Sequence, residues 1–89
     1  MIKQYRTKPC EIEAIQFTRD NFEDVKAFGE GSIKDLIIER CPGGKAYCKV
    51  QTLEGLMIAT EGDFIIRGLR GEYYPCKPDV FNKKYEEIL

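Results

Sequence analysis

The sequence predicts an α+β fold, in which a mostly antiparallel and strongly bent sheet of five or six strands is covered by one helix. Turn residues recur about every eight to ten positions through the second half of the chain, which is typical of antiparallel meanders. One earlier segment, about residues 20–29, has apolar residues at helical spacing instead. With 89 residues and 43% hydrophobic side chains, residues 1–89 are expected to form a single domain with one modest core.

The amino-terminal part is predicted to be an extended lead-in followed by a strand. Residues 1–9 are polar and end in Lys8-Pro9, and the residue before a proline avoids the helical region. The strand from Cys10 to Phe17 carries apolar side chains on both faces, so we expect it to be a central strand of the sheet.

The one covering helix is predicted over about residues 20–29. Asp20 is the expected N-cap, and Glu23 lies three residues later, where it completes a capping box. Gly29 and Gly31 are expected to end the helix. The apolar residues at helical spacing are Phe22, Val25 and Phe28.

Short strands separated by turns are predicted through the rest of the chain. Residues 41–44 form a turn, and Gly62 is the expected positive-φ residue of another. Pro78 starts a helical turn, and residues 83–88 fit either a continuation of that helix or a closing strand. The predicted strands cover residues 36–40, 46–52, 56–59, 64–68 and 72–76.

The balance of charges argues against nucleic acid as a partner. The chain has 14 basic and 15 acidic residues, and its net charge is −1. A duplex-binding protein usually shows a basic excess or a basic stripe, whereas the basic residues here are scattered.

The reactive residue types do not form a recognisable catalytic or metal-binding set. The four cysteines lack the close pairwise spacing of zinc ribbons, and the sequence has no histidine. We therefore expect the cysteines to be small apolar residues rather than a zinc site, and we predict no catalytic residue, no metal and no cofactor. The cysteines are Cys10, Cys41, Cys48 and Cys76.

Two further features have both a chemical and a structural interpretation. Cys76 beside Lys77 fits either a thiol of lowered pKa or a strand residue packed on one side. Glu11 and Glu13 share a strand face, and they fit either an acid–base pair or partners in salt bridges. In both cases the structural interpretation is favoured, because Cys76 has no histidine base and because isolated carboxylates without a cleft rarely catalyse.

Location is predicted from the apolar segments. The first residues lack the apolar stretch of a signal peptide, and apolar runs elsewhere are short. We expect a protein of the cytoplasm that does not enter a membrane.

The segment from residue 67 to residue 79 is the candidate binding surface, because it concentrates tyrosine, arginine and other charged residues, which interfaces favour. The structural alternative has Arg67 paired with Glu72 across a hairpin, while residues 77–79 fix the turn from strand to helix. The candidate binding residues are Arg67, Arg70, Glu72, Tyr73, Lys77 and Asp79.

Residues 61–81 read Glu-Gly-Asp-Phe-Ile-Ile-Arg-Gly-Leu-Arg-Gly-Glu-Tyr-Tyr-Pro-Cys-Lys-Pro-Asp-Val-Phe. This segment resembles the shared segment of a family of small phage and prophage proteins of unknown function, and residues 8–18 and 53–55 resemble that family too. The chain departs from the pattern at Glu61, where proline is usual, and at Lys84, where threonine is usual, and neither change touches an obvious chemical group. The resemblance transfers no catalytic residue. It implies a phage or prophage gene and the cytoplasm of a host cell.

The function predicted is that of a small, non-enzymatic, phage-encoded protein that binds a host or phage macromolecule, with inhibition of a bacterial defence system as one form. One alternative is a binder of nucleotides that uses Arg67, Arg70, Lys77 and a stacking tyrosine. The other is a structural or morphogenesis component of the phage. The sequence leaves the oligomeric state open.

Overall fold

The computed structural model describes residues 2–4 and 11–88, so Cys10 and most of the predicted lead-in over residues 1–9 lie outside the described residues. The described chain contains six strands and two short helices. In chain order they are β1 (Glu13–Gln16), α1 (Phe22–Phe28), β2 (Ile33–Ile38), β3 (Ala46–Thr52), β4 (Gly55–Thr60), β5 (Phe64–Arg67), β6 (Tyr73–Cys76) and α2 (Pro78–Lys84).

The strands form two antiparallel sheets of three strands each. The first sheet has the order β1-β5-β6, and the second has the order β2-β3-β4. The predicted α+β class is confirmed, but the prediction of a single bent sheet is wrong. After β4 the chain turns at Gly62, whose N–H donates to the carbonyl of Phe17 (2.7 Å). Because of this bond, β5 pairs with β1 rather than with β4.

Strand β5 is the central strand of the first sheet, whereas β1 lies at the end of that sheet, so the central position predicted for β1 is wrong. Ile65 and Ile66 of β5 point to opposite faces and are both buried. The first sheet is therefore covered on both faces, which explains why β1 has apolar side chains on both of its faces without being central.

The main core lies between the two sheets. Along β3, the predicted alternation is confirmed, because the side chains of Ala46, Cys48 and Val50 are buried and the residues between them are not. Partly buried side chains of α1 and its neighbours pack on this core. The buried residues of the cluster are Phe17, Val25, Ile33, Ala46, Cys48, Val50, Ala59, Ile65 and Tyr73.

A second, smaller apolar layer lies between the first sheet and α2. The rings of Phe64 and Phe81 stack with their centroids 3.8 Å apart, and Phe81 also meets Tyr85 at 5.0 Å. Burial, followed by the neighbouring Tyr85, raises the pKa of Tyr74 to about 12. Helix α2 ends at Lys84 and the residues from 85 to 88 have no regular structure, so 83–88 contain neither a full helix nor a strand.

The helix α1 is shorter than predicted, and its predicted capping box is wrong. The N-cap is Asn21 rather than Asp20, and it makes no side-chain bond to the helix. Its amide instead accepts from the N–H of Thr18 (2.8 Å) and donates to the carbonyl of Gln16 (2.7 Å). This local bonding of an asparagine side chain fixes the loop between β1 and α1.

The end of α1 at Gly29 is confirmed. A Cβ placed there would lie 2.6 Å from the side chain of Ile33, so only glycine lets the helix end against β2. Strand β2 starts three residues earlier than predicted and contains an irregularity between Lys34 and Ile37. No helix of the described residues is long and apolar enough to cross a membrane.

Candidate functional site

Arg67 of β5 lies at the centre of a polar network. Its guanidinium donates to the Tyr73 hydroxyl (2.9 Å), to a carboxylate oxygen of Glu13 (2.9 Å) and to the carbonyl of Phe28 (3.0 Å). The same group lies over the Phe28 ring, 4.8 Å from its centroid. The bond to Tyr73, followed by the bond to Glu13, raises the pKa of Arg67. The guanidinium therefore ties β1, α1, β5 and β6 together.

The predicted pairing of Arg67 with Glu72 is wrong. The hairpin turn brings the carboxylate of Glu72 back to the N–H of Arg70 (2.9 Å), and the backbone of Glu72 accepts from Gly68 (2.8 Å). Arg67 faces Tyr73 across the β5–β6 pair instead. For the carboxylates of the first strand, the salt-bridge interpretation holds at Glu13, which is the acid that Arg67 binds.

Lys77 has a structural partner as well. Its Nζ lies 3.1 and 3.2 Å from the two carboxylate oxygens of Asp63, a residue that is only 3% exposed. The same carboxylate accepts the N–H of Thr60 (2.9 Å). Because a buried carboxylate needs both a counter-charge and donors, this arrangement fixes the turn between β4 and β5.

The structure does not bring the six candidate binding residues into one cluster. Arg67 and Tyr73 belong to the internal network, and Tyr73 is buried. Arg70 and Glu72 lie in the β5–β6 turn, whereas Lys77 lies beyond the opposite end of β6. The remaining candidate, Asp79, is exposed in the first turn of α2.

The described cysteines lie in different environments. Cys48 is buried in the core, where burial raises the pKa of its thiol to about 11. Burial also raises the pKa of Cys76, which is the opposite of an activated thiol. Cys41 is exposed in the turn before β3. Within residues 2–4 and 11–88, no group of three or more metal-ligating side chains is placed to hold an ion.

A cavity of about 640 Å³ lies between β1 and α2. Its walls are aromatic, and all of its charged lining residues are acidic. An acidic lining repels phosphate groups, so this cavity does not suit a nucleotide. The aromatic residues are Phe28, Phe64, Phe81 and Tyr85, and the acidic ones are Glu11, Glu13, Glu86 and Glu87.

The exposed apolar side chains concentrate on the second sheet. Leu56, Met57 and Ile58 are consecutive residues of β4, and about half of each side chain is exposed. Ile37 of β2 is exposed on the same outer face of the sheet as Ile58, to 51% and 53% respectively. We call residues 55–60 the β4 edge, since β4 ends the order of its sheet.

Among residues 2–4 and 11–88, part of the backbone of the β4 edge has no hydrogen-bond partner. The N–H of Glu61 donates to Ala46 of β3 (2.8 Å), and the bonding direction alternates along an antiparallel strand. Counting back from Glu61, the peptide groups of Leu56, Ile58 and Thr60 therefore point away from β3.

The unpaired stretch of the β4 edge is short. Thr60 is satisfied by Asp63, whose carboxylate accepts its N–H and whose N–H donates to its carbonyl (both 2.9 Å). What the edge offers is thus the N–H and C=O of Leu56 and of Ile58, which is two donors and two acceptors.

A groove of about 330 Å³ runs between β4 and β6, and we call it the β4–β6 groove. Helix α1 covers the side of the two-sheet sandwich where β1 and β2 lie, and this groove opens on the other side. Met57, Tyr74 and Pro75 supply apolar surface, and Glu54 and Glu72 supply the charge.

One property of the sequence could have indicated the β4 edge. Residues 55–60 contain no charged residue and no proline, although strands at the ends of sheets usually carry such residues to prevent pairing with other chains. The signal acquires meaning only when β4 is known to end its sheet, which the order of the strands decides.

Searches of protein-family models, of curated proteins and of solved structures each found no match to the chain. Function is therefore inferred from the geometry of this chain.

Proposed function

We propose that this protein is a small, non-enzymatic binding protein that acts on a host or phage macromolecule, and that the β4 edge is part of its binding surface. Inhibition of a bacterial defence system by occlusion is one form of this function. The phage or prophage origin in the proposal is supported by the resemblance of residues 61–81 to a phage family.

The observation that carries the proposal is the exposed apolar surface of the second sheet. Leu56 and Ile58 place two large apolar side chains side by side on the outer face at the end of a sheet, and Met57 adds a third on the inner face, at the β4–β6 groove. A contiguous exposed apolar patch on a small protein marks an interaction site more often than a scattered set does. A strand with free peptide groups adds a template for pairing.

The chemistry of the remaining groups supports binding rather than catalysis. The sequence has no histidine, and burial raises the thiol pKa values of Cys48 and Cys76. Arg67 and Lys77, which a nucleotide site would need, are bonded to acceptors of the protein itself. A panel of nucleotides is accordingly expected to leave the thermal unfolding midpoint unchanged.

The test is capture of partners from lysates of phage-infected bacteria by the tagged protein, followed by mass spectrometry. The unaltered protein is expected to retain a defined macromolecule that the double variant Leu56→Lys/Ile58→Lys loses. The single variant Ile58→Lys is expected to weaken capture, and Ile37→Lys is its matched control, because it places the same single charge on the same face at nearly equal exposure. The proposal fails if no macromolecule is retained, or if the purified protein shows turnover of a substrate.

A further inference from the structure

We propose that the β4 edge accepts an extended segment of the partner protein as an additional strand, and that this segment is apolar at alternate positions with a basic residue beside Glu54 and Glu72. This inference rests on the binding function proposed above and specifies its mode and the chemistry of the partner.

The backbone gives the first reason. Leu56 and Ile58 each direct an N–H and a C=O away from β3, and two residues is the repeat at which an added strand forms its bonds. Beyond Ile58, Thr60 is closed off by Asp63, so the added ladder has a defined end. Up to four backbone hydrogen bonds are available to the incoming segment.

The side chains give the second reason. The register pairs Leu56 with Gln51 and Ile58 with Lys49, which places both apolar side chains on the outer face of the sheet. Met57 lies on the inner face, at the β4–β6 groove. Alternate side chains of an added strand therefore meet apolar surface on both faces, outside against Leu56 and Ile58 and inside against Met57.

Charge decides between a foreign segment and a second copy of this chain. The groove has Glu54 and Glu72, and neither carboxylate forms an ion pair among the described residues. An antiparallel second β4 brings the region of Glu61 and Asp63 to this end. Among the described residues, the cations there, Arg19, Lys45 and Lys77, lie beside the acids Glu39, Glu61 and Asp63, so a second copy brings no net positive charge to Glu54 and Glu72.

A segment with its own lysine or arginine neutralises Glu54 and Glu72. Such complementarity favours the foreign segment and also speeds its association at low salt. The occupant is therefore an extended, apolar, basic-ended segment of another protein.

The experiment uses a defined probe, the end-blocked peptide Lys-Val-Thr-Val-Thr-Val-Lys, titrated into the full chain and followed by amide NMR. Its matched control is the same peptide with glutamate in place of both lysines. Binding is expected to shift and protect the amides of Leu56 and Ile58. The glutamate peptide is expected to bind about fivefold more weakly at low salt, and the difference is expected to shrink as salt is added.

Two variants separate the backbone from the side chains. Ile58→Pro removes one outward N–H together with the isoleucine side chain and leaves the bonds to β3, whereas Ile58→Ala removes the side chain alone. Relative to Ile58→Ala, Ile58→Pro is expected to weaken binding about tenfold, the effect of one lost hydrogen bond. Ile58→Lys is expected to weaken binding as well, while Ile37→Lys is not. If Ile58→Pro does not fold, the comparison of Ile58→Lys with Ile37→Lys still tests whether the peptide binds at the β4 edge.

The proposal is overturned if the peptide does not bind, if its shifts map away from Leu56 and Ile58, or if the glutamate peptide binds equally well. It is also overturned if the free protein is a dimer in sedimentation that Ile58→Lys dissociates. If the protein captures a macromolecule from lysate but does not bind the peptide, strand addition is excluded and the proposed binding function stands. Absence of any capture removes the binding function itself.

Discussion

Substitution of Cys48 by alanine is expected to remove much of the loss of stability that the protein undergoes in alkali. The thiol is buried between the sheets, and burial raises its pKa from an ordinary value of 9.0 to about 11. The folded state therefore holds the thiol proton more tightly than the unfolded chain does.

The sign and size follow from linkage. Below pH 9 the thiol is protonated in both states, so the full stability is present. Between pH 9 and about pH 11 the unfolded chain ionises first, and stability falls with each unit of pH by about 1.4 kcal/mol, or about 3 kcal/mol over the window. Above that window the loss from Cys48 is complete.

The assay is urea unfolding at pH 7, 8, 9, 10 and 10.5 with a reductant present, on the unaltered protein and on Cys48→Ala. The variant is expected to be about 1–2 kcal/mol less stable at pH 7, because a small cavity replaces the sulfur. The difference between the two proteins should then narrow or reverse as pH rises. Tyr74, whose raised pKa adds to the alkaline loss, is common to both and cancels. Parallel stability curves for the two proteins across this range would refute the assignment.

Three further substitutions test the contacts described above by thermal and urea unfolding. Asp63→Ala is expected to destabilise by about 1–3 kcal/mol, because the partly buried N–H of Thr60 loses its acceptor. Asp20→Ala, at an exposed carboxylate that does not cap α1, should change stability by less than about 0.5 kcal/mol. Equal effects of the two substitutions would contradict this. Ile66→Ala should cost about 2–5 kcal/mol, since the side chain is buried on the face of β5 where Phe64 stacks on Phe81 of α2, and a cost below about 1 kcal/mol would mean that this face is not covered. Arg67→Ala should lower the unfolding midpoint and Arg70→Ala should not, and the reverse order would return Arg67 to the role of a surface binding residue.

The local features of the fold were predictable because they depend on neighbours in sequence. The alternation of Ala46, Cys48 and Val50 follows from a strand with one buried face, and the positive φ of Gly62 (98°) follows from turn chemistry. The division into two sheets was not predictable in the same way. It depends on β5 pairing with a strand about fifty residues earlier, which no periodicity within either strand encodes.

The candidate site was predicted from residue types, but the structure gives several of these residues internal contacts instead of an exposed binding role. Arginine and tyrosine are typical of interfaces, but Arg67 and Tyr73 use their polar ends on each other and on Glu13. Likewise, the change from proline to Glu61 had no obvious chemical consequence in the sequence, yet Glu61 accepts two bonds from Arg19 and one from the N–H of Ala46. A sequence names the donors and acceptors, but the long-range topology decides which of them meet.

Pro75 of β6 has a consequence for stoichiometry. The N–H of Gly68 donates to the carbonyl of Glu72, and the bonding direction alternates along the antiparallel pair from there. At Pro75, which pairs with Ile65, the backbone nitrogen therefore points away from β5. A proline has no backbone N–H to donate, so on the edge of β6 that faces away from β5 the backbone donor is the N–H of Tyr73. Of the two strands that flank the groove, β4 alone can template a neighbour. At the β4–β6 groove we therefore expect one added strand per molecule, paired with β4, rather than two.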